Sequence, residues 1–132
     1  MEGTKEVCVQ RDVIGVRGED VILPCRFNHN EGNNITDLSF VWYKNYNYRY
    51  NFIFMSLTND THEGFKGRIQ TVGNPSEGDG TVRIRDLKME DEGTYMCVFW
   101  FYEGTQWRTW NPVVFSASEE KRTRLRVDGE NL

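Results

Sequence analysis

Cys25, Trp42 and Cys97 constrain this chain more than any other residues, because each shares the inward parity of a short two-residue repeat. In the first run Val21, Leu23, Cys25 and Phe27 alternate with Ile22, Pro24 and Arg26. In the second, Leu38, Phe40 and Trp42 alternate with Ser39, Val41 and Tyr43. In the third, Tyr95, Cys97, Phe99 and Phe101 fall on one face. Successive side chains of a strand point to opposite faces, so the three runs aim both cysteines and the tryptophan into one interior. Pro24 has no N–H to donate, which places its strand beside an edge or a bulge.

Further strands are expected at Glu6–Gln10, Phe65–Val72, Thr81–Leu87 and Arg122–Asp128, with one or two short ones between residues 44 and 60. Turns or loops are expected at Gly15–Asp20, His29–Asp37 and Gly73–Gly80, and a short helical turn at Lys88–Glu92. Eight or nine short strands with turns between them read as an all-β sandwich. A length of 132 residues suits one domain spanning 1–132 with its core at about 5–128.

Asp91-Glu92-Gly93-Thr94-Tyr95-Met96-Cys97 resembles the D-x-G-x-Y-x-C motif of immunoglobulin domains. That resemblance implies a V-set sandwich of two antiparallel sheets joined by a Cys25–Cys97 disulfide with Trp42 packed on it. It also implies that Tyr95 forms a tyrosine corner and that Arg68 pairs with Asp91. The long interval between the cysteines leaves room for the extra C′ and C″ strands of the V type. The segment Phe65–Pro75, followed by Asp79-Gly80, is similar to myelin protein zero, sodium-channel β-subunits, and Siglec-like lectins with their paired-receptor relatives. The resemblance implies the ectodomain of a single-pass cell-surface receptor of the immune or adhesion type, which binds a protein partner, a different protein or a second copy of itself, rather than catalysing a reaction. A homophilic adhesion or channel-accessory module and a glycan-binding lectin are the alternatives. Siglec-like lectins carry a sialic-acid-binding arginine where this chain has Val98, so a glycan is the less favoured ligand. No Phe-Gly-x-Gly motif precedes Leu125-Arg126-Val127, which separates the chain from rearranging antigen-receptor variable domains.

In such domains the partner meets the sheet made of strands G, F, C and C′. Alternation turns Val41, Tyr43, Met96, Val98 and Trp100 outward there, and an apolar surface of that kind marks an interface. The F–G segment adds Tyr102, Trp107, Arg108, Trp110 and Phe115; Tyr, Trp and Arg are the types that dominate binding energy. Either Trp107 or Trp110 is expected to plug one end of the sandwich. Tyr46, Tyr48, Tyr50 and Phe52 share one parity and are expected on one strand face, inward or outward.

Cys8 is the third cysteine. It pairs with a second copy or a neighbouring domain, or it is a free thiol buried against the sandwich; within these residues the buried thiol is the expectation. Asn34-Ile35-Thr36 and Asn59-Asp60-Thr61 are glycosylation sequons in polar segments, which suits an oxidising, extracellular setting. Met1–Glu6 lacks the apolar core of a secretory leader, and no run of residues is apolar enough to span a bilayer, so any leader and membrane anchor are expected outside this segment. A net charge of −4 argues against generic attraction to nucleic acid or anionic membrane. His29 and His62 fall in no metal-ligand spacing, and no nucleophile-and-base arrangement or phosphate-cradling loop is present, so no cofactor is expected.

Overall fold

The computed structural model describes residues 5–110 and 121–129, and only the backbone of Thr109 and Trp110. The strands are β1 Lys5–Val9, β2 Asp12–Val16, β3 Val21–Leu23, β4 Cys25–His29, β5 Ile35–Tyr46, β6 Arg49–Met55, β7 Ile69–Thr71, β8 Val82–Ile84, β9 Gly93–Glu103, β10 Gln106–Trp110 and β11 Arg122–Asp128.

Pro24 divides one long strand into two. Before it, β3 joins β8 and β7; after it, β4 pairs with β1. A single bridge from Arg26 to Asp79 keeps β4 beside the chain that leads into β8. The opposing sheet runs β2-β11-β9-β5-β6, with β10 pairing the upper part of β9. It is antiparallel except where β2 lies parallel to β11. The fold is thus the expected sandwich, with one parallel pairing that the antiparallel expectation omitted.

The inward residues behave as their parity requires. Leu23, Cys25, Phe40, Trp42, Tyr95, Cys97, Phe99 and Phe101 are all buried. Cys25 and Cys97 are bonded across the two sheets, closing a separation of 72 residues. Loop closure of that size is worth ~4 kcal/mol on the chain-entropy account. Trp42 donates its indole N–H to the carbonyl of Gly80 at 2.7 Å, so the ring beside the disulfide buries no unpaired polar group. Phe27 stacks on Phe99 and Phe101 with ring centroids 5.2 and 5.3 Å apart.

Below the disulfide the chain is tied by the motif side chains. Tyr95 donates its hydroxyl to the carbonyl of Asp91. Arg68 grips the Asp91 carboxylate through both terminal nitrogens. The expected helical turn is present as a 3-10 turn at Met89–Asp91, and it gives Asp91 the backbone N–H of Lys88 as a third donor.

Several local expectations are corrected. Gly15 and Val16 belong to β2 rather than to a turn, and Gly15 is needed there because a Cβ would sit 2.4 Å from Cδ1 of Leu87. Strand β5 begins at Ile35, inside the expected loop, and accommodates the extra length through a register shift between Thr36 and Ser39, where Asp37 has φ 58°. Phe65 lies in a 3-10 turn, Glu63–Phe65, so β7 is only three residues long. The Tyr46–Phe52 ladder is not one strand face. Asn47 and Tyr48 (φ 51° and 68°) turn the chain between β5 and β6. Tyr46 consequently packs on the core and Tyr50 on the opposite side of the sheet.

Candidate functional site

The outer face of β10-β9-β5-β6 carries most of the residues singled out for recognition. Cross-strand register sets Val41 against Val98, Tyr43 against Met96, and Ser39 against Trp100. Alternation predicts all the apolar ones exposed, and the structure corrects this for three of them. Val41, Met96 and Val98 are only 8%, 6% and 4% exposed. Met96 and Val98 form a small cluster of their own, with Tyr43 and Tyr50 lying partly buried against it. The tyrosines come from β5 and β6, so neighbouring strands provide the cover.

Above this cluster the face opens into an apolar groove of about 350 Å³. Its lining includes Val41, Tyr43, Met55, Leu57, Trp100 and Trp107. Trp100 is 36% exposed, Trp107 46% and Leu57 72%, so three large apolar side chains at this groove face solvent. Trp107 is therefore no plug for the end of the sandwich. The β9–β10 hairpin aims it at the groove: Trp107 lies opposite Tyr102, their rings 4.1 Å apart between centroids, and Gly104 (φ 65°) makes the turn between the strands. The described part of the F–G segment, as far as Trp110, is thus largely paired sheet.

Arg108 lies outside the groove, exposed, with its Nε 3.6 Å from Glu103. Glu103 in turn meets Lys5 at 2.9 Å, and Lys5 meets Glu31 at 2.5 Å. Hydrogen bonding to Glu31 and Glu103 raises the Lys5 pKa, and the Lys5 ammonium holds the Glu103 carboxyl below its usual value. This chain of charges fastens the hairpin to β1 and to the turn before β5. The side chain of Trp110 and the whole of Phe115 lie outside the described residues.

Leu57 and Met55 escape the parity argument. Leu57 sits in a turn among Ser56, Thr58 and Asn59, where an isolated apolar residue is the only signal available. A second concavity was also missed. At the other end of the face Arg11, Arg122 and Arg124 line a polar pocket of about 410 Å³ with Asn45 and Tyr50. Its signal was the alternation Arg122, Arg124, Arg126 along β11.

The sequon residues Asn34 and Asn59 are exposed. Asn59 directly follows Thr58, which also lines the apolar groove. Cys8 is a free thiol and is exposed on β1, contrary to the buried position expected for it. Its Sγ lies 3.1 Å from Glu6 Oε1, and that contact raises the thiol pKa, with burial adding to the shift. Among the described residues no group of three or more His, Cys, Asp or Glu side chains is placed to hold a metal ion. No helix among them is long and apolar enough to cross a membrane.

Comparison with known proteins agrees with this architecture. The family model of the immunoglobulin V-set domain matches residues 9–127. The chain is 35% identical over 107 residues to the human (Homo sapiens) sodium channel regulatory subunit beta-2, covering 70% of this chain and 45% of that protein. It is 35% identical over 97 residues to rat (Rattus norvegicus) myelin protein P0, covering 69% of this chain and 39% of that one. The chain thus spans less than half the length of these relatives. Among solved structures, murine CRIg superposes with a TM-score of 0.75 at 19% identity, covering 95% of this chain and 98% of that one.

Proposed function

Since the chain belongs to the immunoglobulin V-set family, we propose that it is the extracellular recognition domain of a single-pass cell-surface receptor of the immune or adhesion type, and that it binds a protein partner through its β10-β9-β5-β6 face. The reading is one of binding rather than catalysis.

The observation that carries this reading is the apolar groove. Exposing Leu57, Trp100 and Trp107 together costs solvation free energy that a monomer does not recover, and such patches mark contact sites. Apart from the turn that carries Leu57 and Thr58, the groove is bounded by paired strands, so little ordering entropy is lost on binding. A large apolar side chain of the partner fits its floor at Val41 and its walls at Tyr43 and Trp100. Tyr102 and Trp107, their rings packed together at a tilt of 32°, supply an aromatic rim of the kind found at hot spots. Val98 now supports the face from beneath, and Arg108 stands at its margin as a charge for orientation rather than for anchoring.

The experiment is cell staining with a multimerised domain. Leu57→Ser and Trp107→Ala both lie at exposed positions and should leave the thermal transition in place while abolishing staining. Undiminished staining by both variants would refute the assignment of this face. Homophilic association is read separately, by sedimentation over a concentration series.

A further inference from the structure

The polar pocket at the lower end of the same sheet face is built by all five strands of the β2-β11-β9-β5-β6 order. Asp12 opens β2 and Arg11 directly precedes it; Arg122 and Arg124 come from β11, Thr94 from β9, Asn45 from β5 and Tyr50 from β6. Three guanidinium groups and one carboxylate line a space of about 410 Å³. In a chain of net charge −4 this is a local concentration of positive charge.

Arg122 is the centre of the arrangement. Register sets it opposite Met96 on β9, and its guanidinium carbon lies 5.8 Å from the centre of the Tyr50 ring. The aromatic contact packs the guanidinium against the Tyr50 ring at the pocket wall. Its Nε is buried and meets no hydrogen-bond acceptor among the described residues. A buried donor without an acceptor is costly, and an incoming anion removes that cost. Asn45 at the pocket wall has a buried amide oxygen that meets no donor among the described residues, and the amide turned over presents its NH₂ instead.

The chemistry selects a carboxylate. A guanidinium matches a carboxylate through two parallel hydrogen bonds. Asp12 on the rim opposes a doubly charged anion such as phosphate more strongly than a singly charged one. We propose that this pocket binds an acidic side chain, Asp or Glu, of the same protein partner whose apolar residue enters the groove. The proposal deepens the reading of the sheet face as a protein-binding surface and rests on it. The Tyr43–Tyr50–Met96–Val98 cluster lies between the two concavities on one side of one sheet, so a partner that covers the cluster reaches both. A neutral groove and a cationic pocket together fix the partner's orientation, which the groove alone does not.

The test is an NMR titration of the whole domain that follows the Nε–Hε resonance of Arg122. The probe is N-acetyl-glutamate amide, with N-acetyl-glutamine amide as its uncharged counterpart. The expected result is a saturable shift with the glutamate probe alone. Arg122→Lys keeps the charge and loses the fork, and its affinity should fall about tenfold. Arg11→Gln lies at an exposed position and leaves folding untouched; it should weaken binding about two- to threefold, as for one screened charge. Equal shifts with both probes, or none with either, overturn the pocket. A methyl α-sialoside or inorganic phosphate that moves the resonance where glutamate does not overturns the acidic side chain as its ligand. Because the titration needs no partner, its failure is distinguishable from failure of the sheet-face reading, which shows only in the staining of the Leu57 and Trp107 variants.

Discussion

Arg68 and Asp91 meet as a two-pronged pair, with Nη1 2.8 Å from Oδ2 and Nη2 2.9 Å from Oδ1. The carboxylate is buried and also accepts the backbone N–H of Lys88. Hydrogen bonding to Asp91 raises the Arg68 pKa further, so the guanidinium stays charged throughout any working range. Asp91→Ala leaves the Lys88 N–H without its acceptor and the Arg68 cation with only the carbonyls of Gly64, Arg85 and Asp86; it should cost about 3 kcal/mol, measured by urea denaturation. Arg68→Lys should cost less but still lower the midpoint, since an ammonium cannot fork. A loss below about 1 kcal/mol for Asp91→Ala would show the pair to be dispensable.

Gly80 lies where the disulfide, Trp42 and Phe99 converge. Its carbonyl accepts from Trp42 and its N–H donates to the carbonyl of Cys25. A Cβ built there would lie 2.9 Å from Cζ of Phe99 and 3.1 Å from Sγ of Cys97. Phe99 is itself buried and cannot swing away, so Gly80→Ala should destabilise by about 1–3 kcal/mol through overpacking. An unchanged thermal midpoint would mean that the core yields there.

Lys44 is buried with its ammonium 2.5 Å from the carbonyl of Glu90 and within 6 Å of the Tyr46, Phe65 and Tyr95 rings. Burial lowers its pKa from the ordinary 10.5, against the attraction of Asp91 and Glu90. The unfolded chain then holds the proton more tightly than the folded one, so this group makes stability rise with pH on the approach to 10.5. Lys44→Met lacks the group. The stability difference between wild type and Lys44→Met should therefore shift in favour of wild type as pH climbs from neutrality towards 10.5. A difference that is flat with pH would contradict the lowered pKa.

Both sequon asparagines are exposed, and Asn59 adjoins the groove wall. Secretion from mammalian cells should yield a protein that loses mass in two steps on enzymatic deglycosylation, reduced to one by Asn59→Gln. A single mass for the wild type before and after treatment would remove the glycoprotein reading.

The scaffold was legible because its signals are local. Parity, the Asp91–Cys97 motif and the Pro24 interruption each declare themselves within a few residues. The recognition face was legible only in part. A two-residue period tells which side of a sheet Val41, Met96 and Val98 occupy, but not that Tyr43 and Tyr50 close over Met96 and Val98. That cover depends on a hairpin at Asn47–Tyr48 that reverses the aromatic ladder. The end of β2, Gly15 and Val16, was read as a turn because Gly15 stands for flexibility in a sequence, whereas here it makes room for Leu87. The pocket around Arg122 left only the arginine alternation along β11 as a trace, because its residues come from distant parts of the chain and only strand pairing brings them together.

The parallel pairing of β2 with β11 has a mechanical consequence. The two strands run the same way, so tension applied between the N-terminal side of β2 and the C-terminal side of β11 pulls them past one another along their length. All the ladder bonds from Asp12–Arg124 to Val16–Asp128 then bear the load together instead of opening one at a time. Should this ladder give way, the Cys25–Cys97 bond still limits how far the chain pays out, because the 72-residue span between them cannot be drawn straight. A domain built this way resists being stretched between two attachments.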